Sequence, residues 1–179
     1  GNDENPNWVH VSYNVDGMRM STFMYKEKDS DGGKLKMGPL WDFNLSMGNG
    51  YDCDQQNQYG FLKDFNVVCP NSNSHIPFWW NKLLEDANYA KQVKCTWENY
   101  RTGFLATQSV LERVTEQANY LAEAQARNFN KWPIINIKTW PNTFEASTYE
   151  AEIEQLKSWL AIRLNWLDDN LPGECLALN

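Results

Sequence analysis

Clustered positive charge is missing from this chain. Its Lys and Arg residues number 16 against 23 Asp and Glu, for a formal charge of −7. A protein that grips a phosphate backbone needs grouped cations to release counterions, so nucleic acid is excluded as a partner. The nearest approach to a basic run is Lys26, Lys28, Lys34 and Lys36, and Glu27, Asp29 and Asp31 are interleaved with it. That alternation reads as a solvated hairpin. Long apolar runs are missing too: no stretch nears the roughly 20 residues of a membrane span. Histidine is scarce, with two in all, and the four cysteines form no C-x-x-C pair, which excludes a structural zinc site. No internal repeat and no signal-peptide pattern is visible. The Gly1-Asn2-Asp3 opening lacks a Met, as expected where a native start has been removed.

What is present is apolar and aromatic. Hydrophobic residues make up 42% and aromatics 14%, enough for a globular chain rather than a disordered one. A length of 179 residues fits one domain over 1–179 with a real core. Nine tryptophans imply either a large aromatic core or a surface that holds something flat. Trp159 and Trp166 stand seven apart in a helical pattern, Trp79 and Trp80 lie in an apolar face, and Trp41 adjoins the hairpin. Most tryptophans are therefore assigned to the core, with Trp132 and Trp140, beside a Pro-containing loop, expected at the surface. Cys53, Cys69, Cys95 and Cys175 allow three complete pairings. Cys53–Cys69 with Cys95–Cys175 is favoured, the first stapling a loop and the second tying the C-terminal tail to a helix. Four reduced thiols are the alternative. Two disulfides imply an oxidising, extracytoplasmic setting, whether secreted, periplasmic or cell-surface.

Periodicity predicts an α+β fold that is mostly α. Residues 1–12 show no pattern and read as a loop or a truncated start. Residues 13–44 hold a β-hairpin: Met20 to Lys26 as one strand, Asp29-Ser30-Asp31-Gly32-Gly33 as the turn, and the alternating Lys34 to Gly38 as the other strand. Residues 45–76, rich in Gly, Asn, Asp, Gln and Ser, form a long loop. A bundle of about four helices then occupies 77–179. The first begins at Pro77, with Phe78, Trp79, Leu83 and Leu84 as its apolar face. The second covers Ala87 to Arg101 and the third Thr107 to Phe129. The last opens on a Ser147/Glu150 capping box and carries Ile153, Leu156, Leu160, Leu164, Leu167 and Leu171 until Pro172-Gly173. Asp168-Asp169 at its end opposes the helix dipole. The pair reads as solvent-facing charge on a C-cap turn, with a partner contact as the alternative.

The hairpin ends in the one chemically suggestive segment, Gly38-Pro39-Leu40-Trp41-Asp42-Phe43-Asn44. An Asp held at the end of a strand can present a carboxylate to a metal. Magnesium accepts one or two carboxylates with phosphate and water oxygens around the rest of its shell. Upstream, Asp16 lies in the loop Asn14-Val15-Asp16-Gly17. A loop Asp, an Asn five residues on, a hairpin and an Asp-Phe-Gly is the order found in protein kinases. Here Ser21 holds the fifth position and Asn44 follows Asp42-Phe43. On the short motif alone, a turn-capping Asp is the plainer reading.

Longer runs carry a resemblance. Asn14-Val15-Asp16-Gly17-Met18-Arg19-Met20-Ser21-Thr22-Phe23-Met24-Tyr25-Lys26 and the run from Asp31 to Asn44 are similar to the CotH family of spore-coat-protein-H-like, atypical kinases. The closing stretch from Glu152 to Gly173, Phe78-Trp79-Trp80 and Arg127-Asn128-Phe129 fit the same family, in a form resembling secreted versions from gut Bacteroides-type bacteria. The resemblance covers about residues 13–173. It implies the C-lobe of a remote protein-kinase-like fold that phosphorylates proteins with ATP and Mg²⁺ or Mn²⁺. By position Asp16 resembles the catalytic-loop aspartate and Asp42 the metal-binding aspartate. Asn44 stands where many members carry a second Asp and offers an oxygen without charge. Ser21 replaces an Asn, which weakens the case for a second metal.

Family members also carry an N-terminal part with the nucleotide-gripping lysine and a sheet over ATP. The residues before Asn14 show no glycine-rich loop and no strand–Lys pattern. The resemblance therefore implies the C-terminal portion of a kinase domain, expected to be inactive as an isolated chain and to retain ATP and metal poorly. The protein substrate or cell-surface partner is not legible. Two other classes fit the composition: a secreted or surface-associated module that binds glycan or protein without catalysis, and a purely structural surface domain.

Overall fold

Seven α-helices and one two-stranded antiparallel sheet make up the described residues of the computed structural model, 7–50 and 53–175. The helix at the end of the chain, Tyr149–Asn170, organises the rest and is numbered α7. Its Trp159, Leu160, Leu164 and Leu167 are buried, and their spacing puts them on one face. The helix starts one residue later than the Ser147 box predicts. Thr148 is the N-cap, and its hydroxyl accepts from the Ala151 N–H at 3.1 Å. The acid that reaches back is Glu152 rather than Glu150, accepting from the Ala146 N–H at 3.1 Å.

At the other end, residues 7–12, read from the sequence as a loop or a truncated start, are helical. They form helix α1 (Asn7–Ser12); residues 1–6 lie outside the described part. Six residues are too few to show a helical period and would not stay helical alone. Tertiary contacts hold them. Val11 is buried, and the His10 carbonyl accepts from Arg163 Nε at 3.0 Å and Nη2 at 2.7 Å. Arg163 Nη1 donates to the carbonyls of Gln58 (2.9 Å) and Gly60 (2.8 Å), and the guanidinium lies over Tyr13 and Trp166. A fully buried arginine on α7 thus ties α1 and the 58–60 segment to the core.

The hairpin pairs β1 (Met24–Lys26) with β2 (Leu35–Met37), placing Met24 opposite Met37 and Lys26 opposite Leu35. β1 is shorter than the predicted strand for a clear reason. The N–H groups of Met20 and Ser21 both donate to the Asp16 carbonyl, at 3.0 and 2.8 Å, so the chain is still turning there. A 3₁₀ turn over Asp29–Asp31 joins the strands, closed by Gly32 at φ +70°.

The predicted long loop is partly ordered by apolar anchors. A 3₁₀ turn (Leu62–Asp64) runs into helix α2 (Phe65–Val68), and Leu62 and Phe65 are buried. Disulfides Cys53–Cys69 and Cys95–Cys175 are both present, stapling this segment and tying the tail to α4 (Ala87–Arg101). Helix α3 (Trp79–Glu85) packs on α4, and α5 (Thr107–Tyr120) packs on α7. The predicted third helix breaks at Leu121, where ψ is 0°, and resumes as α6 (Ala122–Lys131). No side chain of α5 or α6 is fully buried, so packing does not enforce one continuous axis. Five helices, rather than about four, therefore follow Pro77.

Trp80, Trp97 and Trp159 belong to the core, and Trp132 and Trp140 are exposed. Trp41 corrects the expectation of a buried ring: it is 60% exposed. On α3 the inward residue is Trp80, which donates Nε1–H to the Met18 carbonyl at 2.8 Å, while Phe78 and Leu83 face outward. Asp168, though partly exposed, is likewise more than a solvent-facing charge. It accepts from Trp97 Nε1 at 2.9 Å and from Arg101 Nε and Nη2, both at 2.8 Å, and so clamps α4 to α7.

Candidate functional site

The turn after α1 is built around Asn14, whose side chain is sealed from solvent at 0% exposure. Its Oδ1 accepts from the Asp16 N–H at 3.1 Å, the self-turn typical of Asn. The Asp16 carbonyl then collects the N–H groups of Arg19, Met20 and Ser21 at 3.1, 3.0 and 2.8 Å. The other end of the Asn14 amide reaches across the chain: Nδ2 donates to the Asp42 carbonyl at 3.2 Å. A second strap lies nearby, from the Met47 N–H to the Ser12 carbonyl at 2.7 Å. The loop that leaves the hairpin is therefore fastened at two points to the turn that carries Asp16.

Asp16 is buried, with Arg19 Nη2 2.7 Å from its Oδ1. The contact is an ion pair rather than an aligned hydrogen bond, so Oδ1 keeps acceptor capacity. Arg19 is held in place from several sides. Its Nε donates to the Val15 carbonyl at 3.0 Å, and Nη1 donates to Ser72 Oγ at 3.0 Å and the Ser74 carbonyl at 2.6 Å. The guanidinium also sits 4.2 Å from the Phe65 ring centroid.

Asp42 is exposed and adopts φ +60°, a left-handed conformation that Asp tolerates better than most residues. Ser21 is buried and meets Asp16 through its backbone N–H. Asn44 is exposed on the outer part of the loop, where its carbonyl accepts from Asn49 Nδ2 at 2.8 Å. The structure thus brings together the Asp16 turn, Ser21 and the Asp42 backbone, while the Asn44 backbone is tied to Asn49 instead. No group of three or more His, Cys, Asp or Glu that could share a metal occurs among the described residues.

Sequence reasoning named the aspartates but gave no role to Asn14 or Arg19. Both signals are local: an Asn two residues before Asp16, and a cation three residues after it.

A loop aspartate, a hairpin and then an exposed aspartate fastened to that loop is the order of a kinase-like domain. The chain belongs to the CotH kinase protein family, whose model matches residues 9–167. That family implies the use of ATP and a divalent metal in general. No curated protein and no solved structure matches the chain.

Proposed function

We propose that the chain carries the metal side of a phosphoryl-transfer site. Asp42 is the metal carboxylate, Asn44 a neutral oxygen donor beside it, and Asp16 the carboxylate that takes the acceptor's proton. The observation that carries this reading is the Asn14 bridge, which joins the Asp16 N–H to the Asp42 carbonyl through one buried amide. Mg²⁺ and Mn²⁺ are hard cations that take oxygen donors and keep several waters. An exposed carboxylate with a carboxamide two residues away suits such an ion, and Ser21 would add at most a weak hydroxyl contact. When bound, ATP supplies the phosphoryl group; this chain's residues position the metal and hold the proton acceptor.

The phosphates find less support than the metal. Among the described residues Asp42 has no cation paired with it, Arg19 is committed to Asp16, Ser72 and Ser74, and Lys26 is paired with Asp29. A chain charge of −7 repels a free nucleotide. Positioning of the nucleotide is most of phosphoryl-transfer catalysis. The 179-residue chain therefore binds ATP weakly and transfers no phosphate by itself. The two disulfides favour an extracytoplasmic setting, with a protein or cell-surface acceptor. Isothermal titration with Mn²⁺, with and without ATP, joined to a radiolabel transfer assay, tests the reading. The expected result is metal binding lost in Asp42→Ala, with no label transferred. Micromolar ATP affinity abolished by Asp42→Ala would keep the site but overturn its incompleteness, and metal binding indifferent to Asp42 would overturn the site.

A further inference from the structure

Beyond Asn44 the exit loop forms one wall of a groove with a volume of about 440 Å³, whose other wall is the 142–144 segment and whose floor is α7. The walls are joined: Thr143 Oγ1 donates to the Gly48 carbonyl at 3.3 Å. Gly48 has φ +86°, and a Cβ there would come within 2.7 Å of the Trp159 indole, so glycine is what lets this wall close on the ring.

The lining has an unusual chemical bias. Gln56, Asn142 and Gln155, apart from Asn44, bring three carboxamides, and none of these three side chains hydrogen-bonds another described residue. No Lys or Arg lines the groove, and its one carboxylate, Glu152, is already bound to the Ala146 N–H. Aromatic surface is part of the lining: Phe144, 39% exposed, stands in the wall, and the Trp159 indole lies behind Gly48.

We propose that this groove binds a neutral oligosaccharide. Each carboxamide offers both donors and an acceptor, which matches hydroxyl groups that also do both. A flat ring beside them takes the C–H face of a sugar, as aromatic rings do with apolar partners that carry a polar edge. A concave site with a few convergent polar groups on an aromatic wall is the usual form of a small-ligand pocket. An acidic glycan or a phosphopeptide would meet no cation there, and the chain's negative charge would oppose it. The proposal goes beyond the phosphoryl-transfer reading and does not depend on it.

The test is a titration of the intact chain, without metal or nucleotide, with cellohexaose, xylohexaose and mannohexaose. A neutral Ser- and Asn-rich peptide of similar length serves as the rival. Tryptophan fluorescence and amide chemical shifts at 142–144 and Gln155 report binding. The expected result is saturable binding of at least one hexasaccharide, weakened about tenfold or more by Gln155→Ala and by Asn142→Ala. Circular dichroism checks that each variant is folded, and Phe144→Ala, at an exposed lining residue, gives a third reading should either fail. Three results would overturn the proposal: no saccharide shifts the groove signals, the peptide saturates the groove while the saccharides do not, or saccharide binding survives the substitutions. None of these depends on Asp42, so the metal reading stands or falls separately.

Discussion

Replacing Asn14 by alanine breaks the bridge on which the proposed site rests, and its cost can be worked from the contacts. Asn14 is fully buried and makes two side-chain hydrogen bonds, to the Asp16 N–H at 3.1 Å and the Asp42 carbonyl at 3.2 Å. The Asp16 N–H is in a buried turn, and a buried donor left without a partner costs about 1–3 kcal/mol. The Asp42 carbonyl belongs to an exposed residue that water can reach, so that loss is nearer the usual net value of about 0.5–1 kcal/mol. Together these predict a destabilisation of roughly 1.5–4 kcal/mol, which for a chain of this size lowers Tm by about 3–16 °C. Asn14→Asp is the sharper control. It keeps an oxygen for the Asp16 N–H but sets a buried carboxylate against the Asp42 carbonyl, and should be at least as damaging. Differential scanning calorimetry and urea unfolding at neutral pH measure both. An Asn14→Ala protein within about 0.5 kcal/mol of the parent would refute the reasoning, since an idle amide cannot be the bridge between the two loops.

Arg163→Met removes the donors to the His10, Gln58 and Gly60 carbonyls and should cost about 3–5 kcal/mol in urea unfolding, with α1 lost first in hydrogen exchange. The Cys95–Cys175 bridge closes a separation of 80 residues and Cys53–Cys69 one of 16, so on the chain-entropy view Ser replacement of the first pair destabilises more, by about 1.4 kcal/mol. His10 is buried among apolar groups and near the Arg163 and Lys63 charges, which together push its pKa from 6.5 down to about 4. The folded chain therefore binds fewer protons at this site than the unfolded chain. Its contribution is intact above about pH 6.5 and is lost as pH falls toward 4, by roughly 3 kcal/mol in full. Urea unfolding of the parent and of His10→Phe at pH 7.5 and pH 5 should show a smaller pH loss in the variant.

What was legible in the sequence was whatever repeats along it. The Leu160–Leu164–Leu167 spacing located α7, the Asp-Gly-Gly turn located the hairpin, and the four cysteines paired as their loop and tail positions suggested. What was not legible depends on partners far away in the chain. α1 is helical because Arg163, on the last helix, holds the His10 carbonyl. Asp168 looks like a stray charge until Trp97 and Arg101 arrive from α4. Trp41 shares an apolar character with the core tryptophans, and no local feature told that its ring stays outside. At the site the aspartates could be named from their order around the hairpin, whereas the amide that joins them acts across the 28 positions between Asn14 and Asp42 and leaves no periodic trace.

Manganese titration followed by nuclear magnetic resonance tests the metal site most directly, because Mn²⁺ broadens signals only near where it sits. The site proposed here predicts early, selective broadening of the amides of Asp42, Phe43 and Asn44, extending to Asp16 and Gly17 through the bridged turn, and its disappearance in Asp42→Asn. Broadening that is absent, that centres elsewhere on the acidic surface, or that persists unchanged in Asp42→Asn would contradict it.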